Sequence, residues 1–263
     1  MSTSHRSAIV ARLRAAGCVF AEDEAHLLMS TATTPADLVV MVDRRVAGLP
    51  LEHVLGWVDF HGLRIAVEPG VFVPRRRTGF LARQAIARCP SPAVVVDMCC
   101  GSGALGAAVA AARNGGVELH AVDIEPVAVR CARRNLAAVG GRVYEGDLFA
   151  PLPTELKSRV DLLVANVPYV PTEAVALLPP EARVHEPRVA LDGGPDGLGV
   201  LRRVARAAGE WLAPGGHLLV ETSERQAAQA LEAFRQAGLA PEVASDPGLN
   251  ATVVVGEMWQ RSR

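Results

Sequence analysis

No Cys-x-x-Cys pair occurs anywhere in the 263 residues, and the five cysteines (Cys18, Cys89, Cys99, Cys100 and Cys131) are odd in number, with two adjacent. That spacing argues against a disulfide framework and a zinc site, and predicts free thiols in a reducing cytoplasm. Charge of one sign is not in excess either. A formal net charge of −1 gives no general attraction to nucleic acid or to an acidic membrane face. No apolar run approaches the roughly 18 residues that a bilayer span needs. The opening MSTSHRSAIVARLRAAG has no apolar stretch followed by a small-residue cleavage site, so no secretion signal is expected. Internal repeats and low-complexity tracts are missing as well. What remains has an ordinary globular composition, 50% apolar and 21% charged, in one large domain or two unequal ones. A chain of this length buries roughly three quarters of its unfolded surface.

The first ninety residues differ in texture from the rest. Ser7 to Ala16 and Ala21 to Met29 carry apolar residues at helical spacing, as do Leu38, Val39, Val42 and Val46 after Pro35. WVDFHGLRIAV alternates around His61-Gly62 and predicts a β-hairpin, and EPGVFVPRRRT reads as an irregular connector. The expected division is a helical unit over 1–56, a hairpin and connector over 57–90, and a main domain over 91–263. In the last, strand-like runs at Ala93–Val96, Val117–Val122, Val160–Ala165, His217–Val220 and Thr252–Val255 alternate with helical stretches. Those helices are expected at Ala104–Arg113, Pro126–Ala138, Val200–Leu212 and Arg225–Ala237, with Gly115-Gly116 and Gly140-Gly141 at C-cap positions. Such alternation means βαβ units and a mostly parallel sheet, with ligands at the carboxyl ends of its strands.

A glycine loop, MCCGSGALG, follows the strand AVVVD. Gly101, Gly103 and Gly106 match GxGxxG, and Asp123 stands at the end of the next strand, so a dinucleotide fingerprint has to be considered. Electrostatics favours another ligand. A carboxylate at Asp97, at the mouth of the loop, repels pyrophosphate and suits the ammonium and sulfonium of S-adenosylmethionine. The alternative for Asp97 is an acid capping the following helix. Asp123 accepts ribose hydroxyls in either case, and GDLF at Gly146–Phe149 offers a further polar group on the adenine side.

VDLLVANVPYVP then poses a chemical question, because a buried strand ends on a carboxamide beside a proline and one of only two tyrosines. Methyl transfer to a planar nitrogen wants such a group. An amide or ring-amino nitrogen is a poor nucleophile because its lone pair is delocalised. Two acceptors on its N–H bonds orient that lone pair and stabilise the positive charge that develops. Asn166 supplies one acceptor through its side-chain oxygen and Val167 the other through its carbonyl. Pro168 holds the turn and Tyr169 offers a flat face to the planar group. No metal is implied. The plainer alternative is a turn at Asn-x-Pro with a core tyrosine.

PLEHVLGWVDFHGL, PGVFVPRRRT, DMCCGSGALG, AVDIEPVAV, GDLFAPL, NVPY, HEPRVALDGGPDGL and LAPGGHLLVE occur in one order. As an ordered set from about Leu49 onward, they resemble the protein-(glutamine-N5) methyltransferases of the HemK/PrmC type. The resemblance implies a class I S-adenosylmethionine-dependent methyltransferase fold, α/β with a seven-stranded mostly parallel sheet whose last strand is antiparallel. It implies that Asp97, Gly101 and Gly103 hold the donor's amino-acid end, Asp123 its ribose and Asp147 its adenine side, with Cys99, Ile124, Leu148 and Asn166 also in the donor site. It also implies a protein substrate with an exposed glutamine, in a release factor's Gly-Gly-Gln motif or a ribosomal protein, and no direct nucleic-acid partner.

Three positions depart from the family pattern. Val167 replaces a proline, keeping the carbonyl while losing the ring-fixed φ. Cys99 replaces the first glycine of the loop, which predicts close packing without a positive φ. Gly79 stands where a glutamate is usual. Two other functions stay open on sequence: a methyltransferase for exocyclic amines of nucleic acid, and a donor-binding regulatory protein with little turnover. Arg75-Arg76-Arg77 reads as a solvated face, 183–200 as a loop able to fold over the site, and Glu221 as a strand end that caps the next turn.

Overall fold

The computed structural model describes residues 3–259, so the outermost residues of the two terminal units lie outside the described part. Four helices open the chain: α1 Thr3–Ala15, α2 Ala21–Thr31, α3 Pro35–Val46 and α4 Leu51–Leu55. The start of α3 is fixed locally. Thr34 Oγ1 accepts from the Asp37 N–H and the Asp37 carboxylate accepts from the Thr34 N–H, with Pro35 in the first turn. Of its apolar stripe, Leu38 and Val42 are buried against Leu13, Ala21, Ala25 and Leu28, while Val39 and Val46 stay exposed. This cluster is a small core separate from those of the sheet.

The hairpin forms as expected, β1 Trp57–Phe60 with β2 Leu63–Ala66. His61 and Gly62 both take positive φ, 55° and 77°, the condition for the tightest two-residue turn. After the connector comes α5 Thr78–Arg88, which the sequence pattern does not announce. It starts directly after the arginine run, with Arg77 at the N-cap and no side-chain cap, so its usual start signal is missing.

The main domain alternates β3 Ala93–Met98, α6 Ala104–Ala112, β4 Val117–Asp123, α7 Pro126–Leu136, β5 Arg142–Glu145 and β6 Val160–Ala165. After a short α8 Pro180–His185 come α9 Gly199–Trp211, β7 Leu212–Thr222, α10 Ala227–Gln236, β8 Leu239–Asp246 and β9 Ala251–Met258. The seven strands lie in the order β5-β4-β3-β6-β7-β9-β8. All neighbouring pairs are parallel up to β7, and β9 runs antiparallel to both β7 and β8. Two strands are not among the expected runs, and both lie at sheet edges: β5 is only four residues long, and β8 carries Pro241 and two carboxylates where proline is tolerated and alternation blurs. Gly115 and Gly140 take φ of 85° and 68° after their helices, as the C-cap reading requires.

For the site, the decisive fact is strand order. With β3 between β4 and β6, Asp97 pairs in register with Ala121 and Val164, and the chain ends of all three strands open on one rim. Asp123, the glycine loop and Asn166 therefore converge from three separate stretches of sequence.

Candidate active site

A cavity of about 410 Å³ lies over that rim, within the usual range for a small-ligand site. Its floor is the loop from Met98 to Leu105, the Asp123–Glu125 turn and the Gly146–Leu148 turn. The far wall is Asn166–Val170, and the connector at Phe72–Thr78 and the segment from Leu178 to Leu191 roof it.

The glycine loop is built on left-handed backbone. Cys99, Gly101 and Gly103 take φ of 55°, 55° and 78°. The expectation that Cys99 avoids positive φ is thus overturned. The chain must reverse between β3 and α6 within a few residues, with Cys100 N–H held on the Val122 carbonyl at 3.0 Å, and the turn imposes its conformation on whatever residue stands there. Burial and the carboxylates around it push the Cys99 thiol well above its ordinary value, so it stays protonated.

Asp123 ties two parts of the floor together. One carboxylate oxygen accepts from Gly101 N–H at 2.8 Å and the other from Glu125 N–H at 2.9 Å. Burial raises its pKa, and these N–H groups oppose the rise. Each oxygen keeps a lone pair for a vicinal hydroxyl. Ile124 is exposed beside it on the cavity wall. Asp147 pairs with Arg203 at 2.6 Å, and Leu148, at φ 50°, lines the cavity next to it.

Two of the expected donor residues are not on the wall. Gly103 faces α7, where a Cβ would come 3.1 Å from Leu136. Asp97 lies fully buried beneath the loop, one oxygen accepting from the Gly106 N–H in the first turn of α6 at 2.8 Å. That is the helix-capping arrangement. Its other oxygen has no partner among the described residues. Burial pushes this carboxyl up to about 8, with Asp123 adding to the rise.

The tetrapeptide is held from behind. Gln226 Nε2 donates to the carbonyls of Tyr169 at 2.9 Å and Asp196 at 3.0 Å. Val170 N–H donates to Leu191, and Gly193 N–H donates back to Val170. A Cβ at Gly193 would stand 2.6 Å from the Pro168 carbonyl oxygen, so only glycine allows this approach. The LDGGPDGL stretch is therefore a buttress under the tetrapeptide; the roof is the segment before it. Asn166 faces the cavity, its Nδ2 3.4 Å from Thr78 Oγ1, which leaves Oδ1 without a partner among the described residues. The Val167 carbonyl accepts no backbone hydrogen bond among them either.

Four charged residues carry roles that sequence reasoning missed. Glu221 is buried in β7 and accepts from Tyr169 Oη at 3.1 Å and Arg77 Nε at 3.2 Å; it caps nothing. Glu186, also buried, accepts from Arg75 at 2.6 Å and the Val73 N–H at 3.2 Å, fastening the roof to the connector. Of the three arginines only Arg76 lacks a carboxylate partner among the described residues, so the solvated-face reading fails for Arg75 and Arg77. Partners 111 and 144 residues away leave no local signal. Gly79 faces open space.

The model of the "Methyltransferase small domain" family matches residues 63–194. A release factor glutamine methyltransferase of Geobacter sulfurreducens is 40% identical over 83% of this chain and 76% of its own length. The chain belongs to that methyltransferase family. The protein is thus a methyltransferase, with S-adenosylmethionine as its methyl donor. A 4-amino-L-phenylalanine/4-methylamino-L-phenylalanine methyltransferase of Streptomyces pristinaespiralis is 38% identical over 80% of the chain and 73% of that enzyme. Among solved structures, a methyltransferase from Pyrococcus furiosus shares the fold, with TM-score 0.57 at 16% identity, over 75% of this chain and 90% of that one. The donor set fits the group: on the cavity floor Asp123, Glu125 and Asp147 stand with one guanidinium, Arg203, which suits a cationic donor and opposes a pyrophosphate.

Proposed function

We propose that this methyltransferase modifies the side-chain amide of a glutamine in a protein, in a Gly-Gly-Gln motif of the release-factor kind. The observation that carries the reading is the pair of unengaged oxygens, Asn166 Oδ1 and the Val167 carbonyl, on the cavity wall beside the methyl-donor floor. The donor supplies a methyl group on a cationic sulfur. The two oxygens accept the two N–H bonds of the acceptor amide, turn its lone pair toward the donor half of the cavity, and stabilise the charge as it grows on nitrogen. The N–C bond forms as the S–C bond breaks, its electron pair returns to sulfur, and the surplus proton leaves nitrogen for water. Tyr169, fixed through its hydroxyl on Glu221, presents its ring to the planar amide. Thr78 supports the orientation of Asn166 by taking the Nδ2 end of the carboxamide.

On the donor side, Cys99, Gly101, Asp123, Ile124, Asp147 and Leu148 make the contacts. Asp97 and Gly103 act from beneath, one by holding the turn of α6 and the other by letting α7 approach. Residues 1–56 form the unit that meets the protein substrate, separated by the hairpin and connector of 57–90 from the catalytic domain at 91–263.

The test is incubation with methyl-labelled donor and a release factor carrying Gly-Gly-Gln, followed by mass spectrometry of the labelled peptide. Label on the glutamine N5 is expected. Label on another residue, or on nucleic acid alone, would overturn the reading.

A further inference from the structure

Arg77 is the N-cap residue of α5, and the next residue, Thr78, meets Asn166. Its Nε donates to Glu221, whose side chain is 2% exposed, and its guanidinium lies over the Tyr169 ring with Cζ 5.7 Å from the centroid. The side chain itself is 43% exposed and lines the cavity. The guanidinium also meets the Tyr169 hydroxyl, and its Nη groups donate to no carboxylate or carbonyl among the described residues. The guanidinium is thus anchored on Glu221 while its Nη groups stand on the cavity wall, one residue along the chain from Thr78, which touches Asn166 of the amide clamp.

The charge of that guanidinium is already matched by Glu221. Nor is there a spare cation elsewhere on this side of the cavity: Arg75 pairs with Glu186, and Glu181 shares Arg45 with Glu24. A compensated guanidinium still gives a strong hydrogen bond to a neutral oxygen. A second carboxylate beside Glu221 would crowd two anions onto one cation in a partly dehydrated site, which is unfavourable.

Resting on the protein-glutamine reading, we propose that Arg77 is the acceptor-reading residue of this site. Its Nη edge donates to a main-chain carbonyl of the acceptor beside the target glutamine. The balanced Arg77–Glu221 pair turns away acceptors with a free carboxylate near the reacting amine. Neutral peptide segments are admitted and free amino acids are not.

Two acceptors test this, a Gly-Gly-Gln release factor and 4-amino-L-phenylalanine, with donor affinity measured by calorimetry for every variant. Wild type is expected to label the protein and leave the amino acid unmodified. Arg77→Gln, at a partly exposed position, is expected to lower kcat/KM for the protein about tenfold or more, with donor affinity within about twofold. Glu221→Gln, which leaves the guanidinium uncompensated, is expected to shift the preference toward the carboxylate-bearing amine by about tenfold. Unchanged protein kinetics in Arg77→Gln would overturn the proposal while wild-type labelling of glutamine left the function intact. An unaltered preference in a donor-binding Glu221→Gln would overturn its charge argument. Wild type that labels the amino acid and no protein would instead remove the function reading.

Discussion

Asp97 shows how one buried atom links fold to ligand. Its carboxyl is fully buried, holds one N–H, and titrates near 8 against an ordinary 3.8. Between those two values the folded chain keeps a proton that the unfolded chain has lost. Unfolding then releases protons, so stability falls as pH rises through the window and levels off above it. Denaturant midpoints measured from pH 5 to 8 are expected to decline in the unliganded protein, and less steeply in Asp97→Asn. Equal slopes in the two proteins would contradict the placement of this carboxyl. At this scale the sequence marked Asp97 as important but not where it points. Its position at the strand end is legible, whereas the partner that fixes it, Gly106 N–H, depends on how tightly α6 turns back.

Elements decide how close the parts can come. Gly106 lies where α6 crosses the sheet, and a Cβ there would stand 3.1 Å from both Asp97 Oδ2 and Leu119 Cδ1. Neither neighbour is free to yield: the carboxylate is held by the Gly106 N–H, and Leu119 is buried in the sheet's core. Gly106→Ala is therefore expected to destabilise the protein by about 1–3 kcal/mol, read as a lower denaturant midpoint. A neutral result would mean that α6 lies further from β3. The glycine spacing that resembled a nucleotide fingerprint thus has three distinct jobs, with Gly101 at the wall, Gly103 under α7 and Gly106 against the sheet. Spacing revealed the loop; only packing separates the jobs. The same limit applies to the tetrapeptide. Its sequence announced an amide beside a tyrosine, while Gln226, Thr78 and Glu221, which hold it, come from distant elements with no pattern of their own.

Across the whole molecule, Arg45 joins the N-terminal helices to the roof of the cavity. It pairs with Glu24 at 2.6 Å and with Glu181 of α8 at 2.8 Å, and both Arg45 and Glu24 are nearly buried, with side chains 13% and 11% exposed. Removing the arginine leaves the Glu24 carboxylate without its partner in that setting. Arg45→Ala is expected to cost about 3 kcal/mol, with the roof more open to limited proteolysis around α8. A change below about 0.5 kcal/mol would mean that the pair is solvated. Alternating strands and helices sufficed to read the parallel sheet, because βαβ units permit few topologies. They did not reveal that the first unit is tied to the segment that roofs the site, since charges so far apart in sequence pair only once the chain is folded.

All of this converges on the amide clamp, and transfer kinetics of Asn166→Ala examine it most directly. With labelled donor and a Gly-Gly-Gln release factor, the variant is expected to bind donor within about twofold of wild type and to lose about 100-fold or more in the rate of methyl transfer. Transfer at the wild-type rate with donor bound would contradict the role given to the carboxamide oxygen.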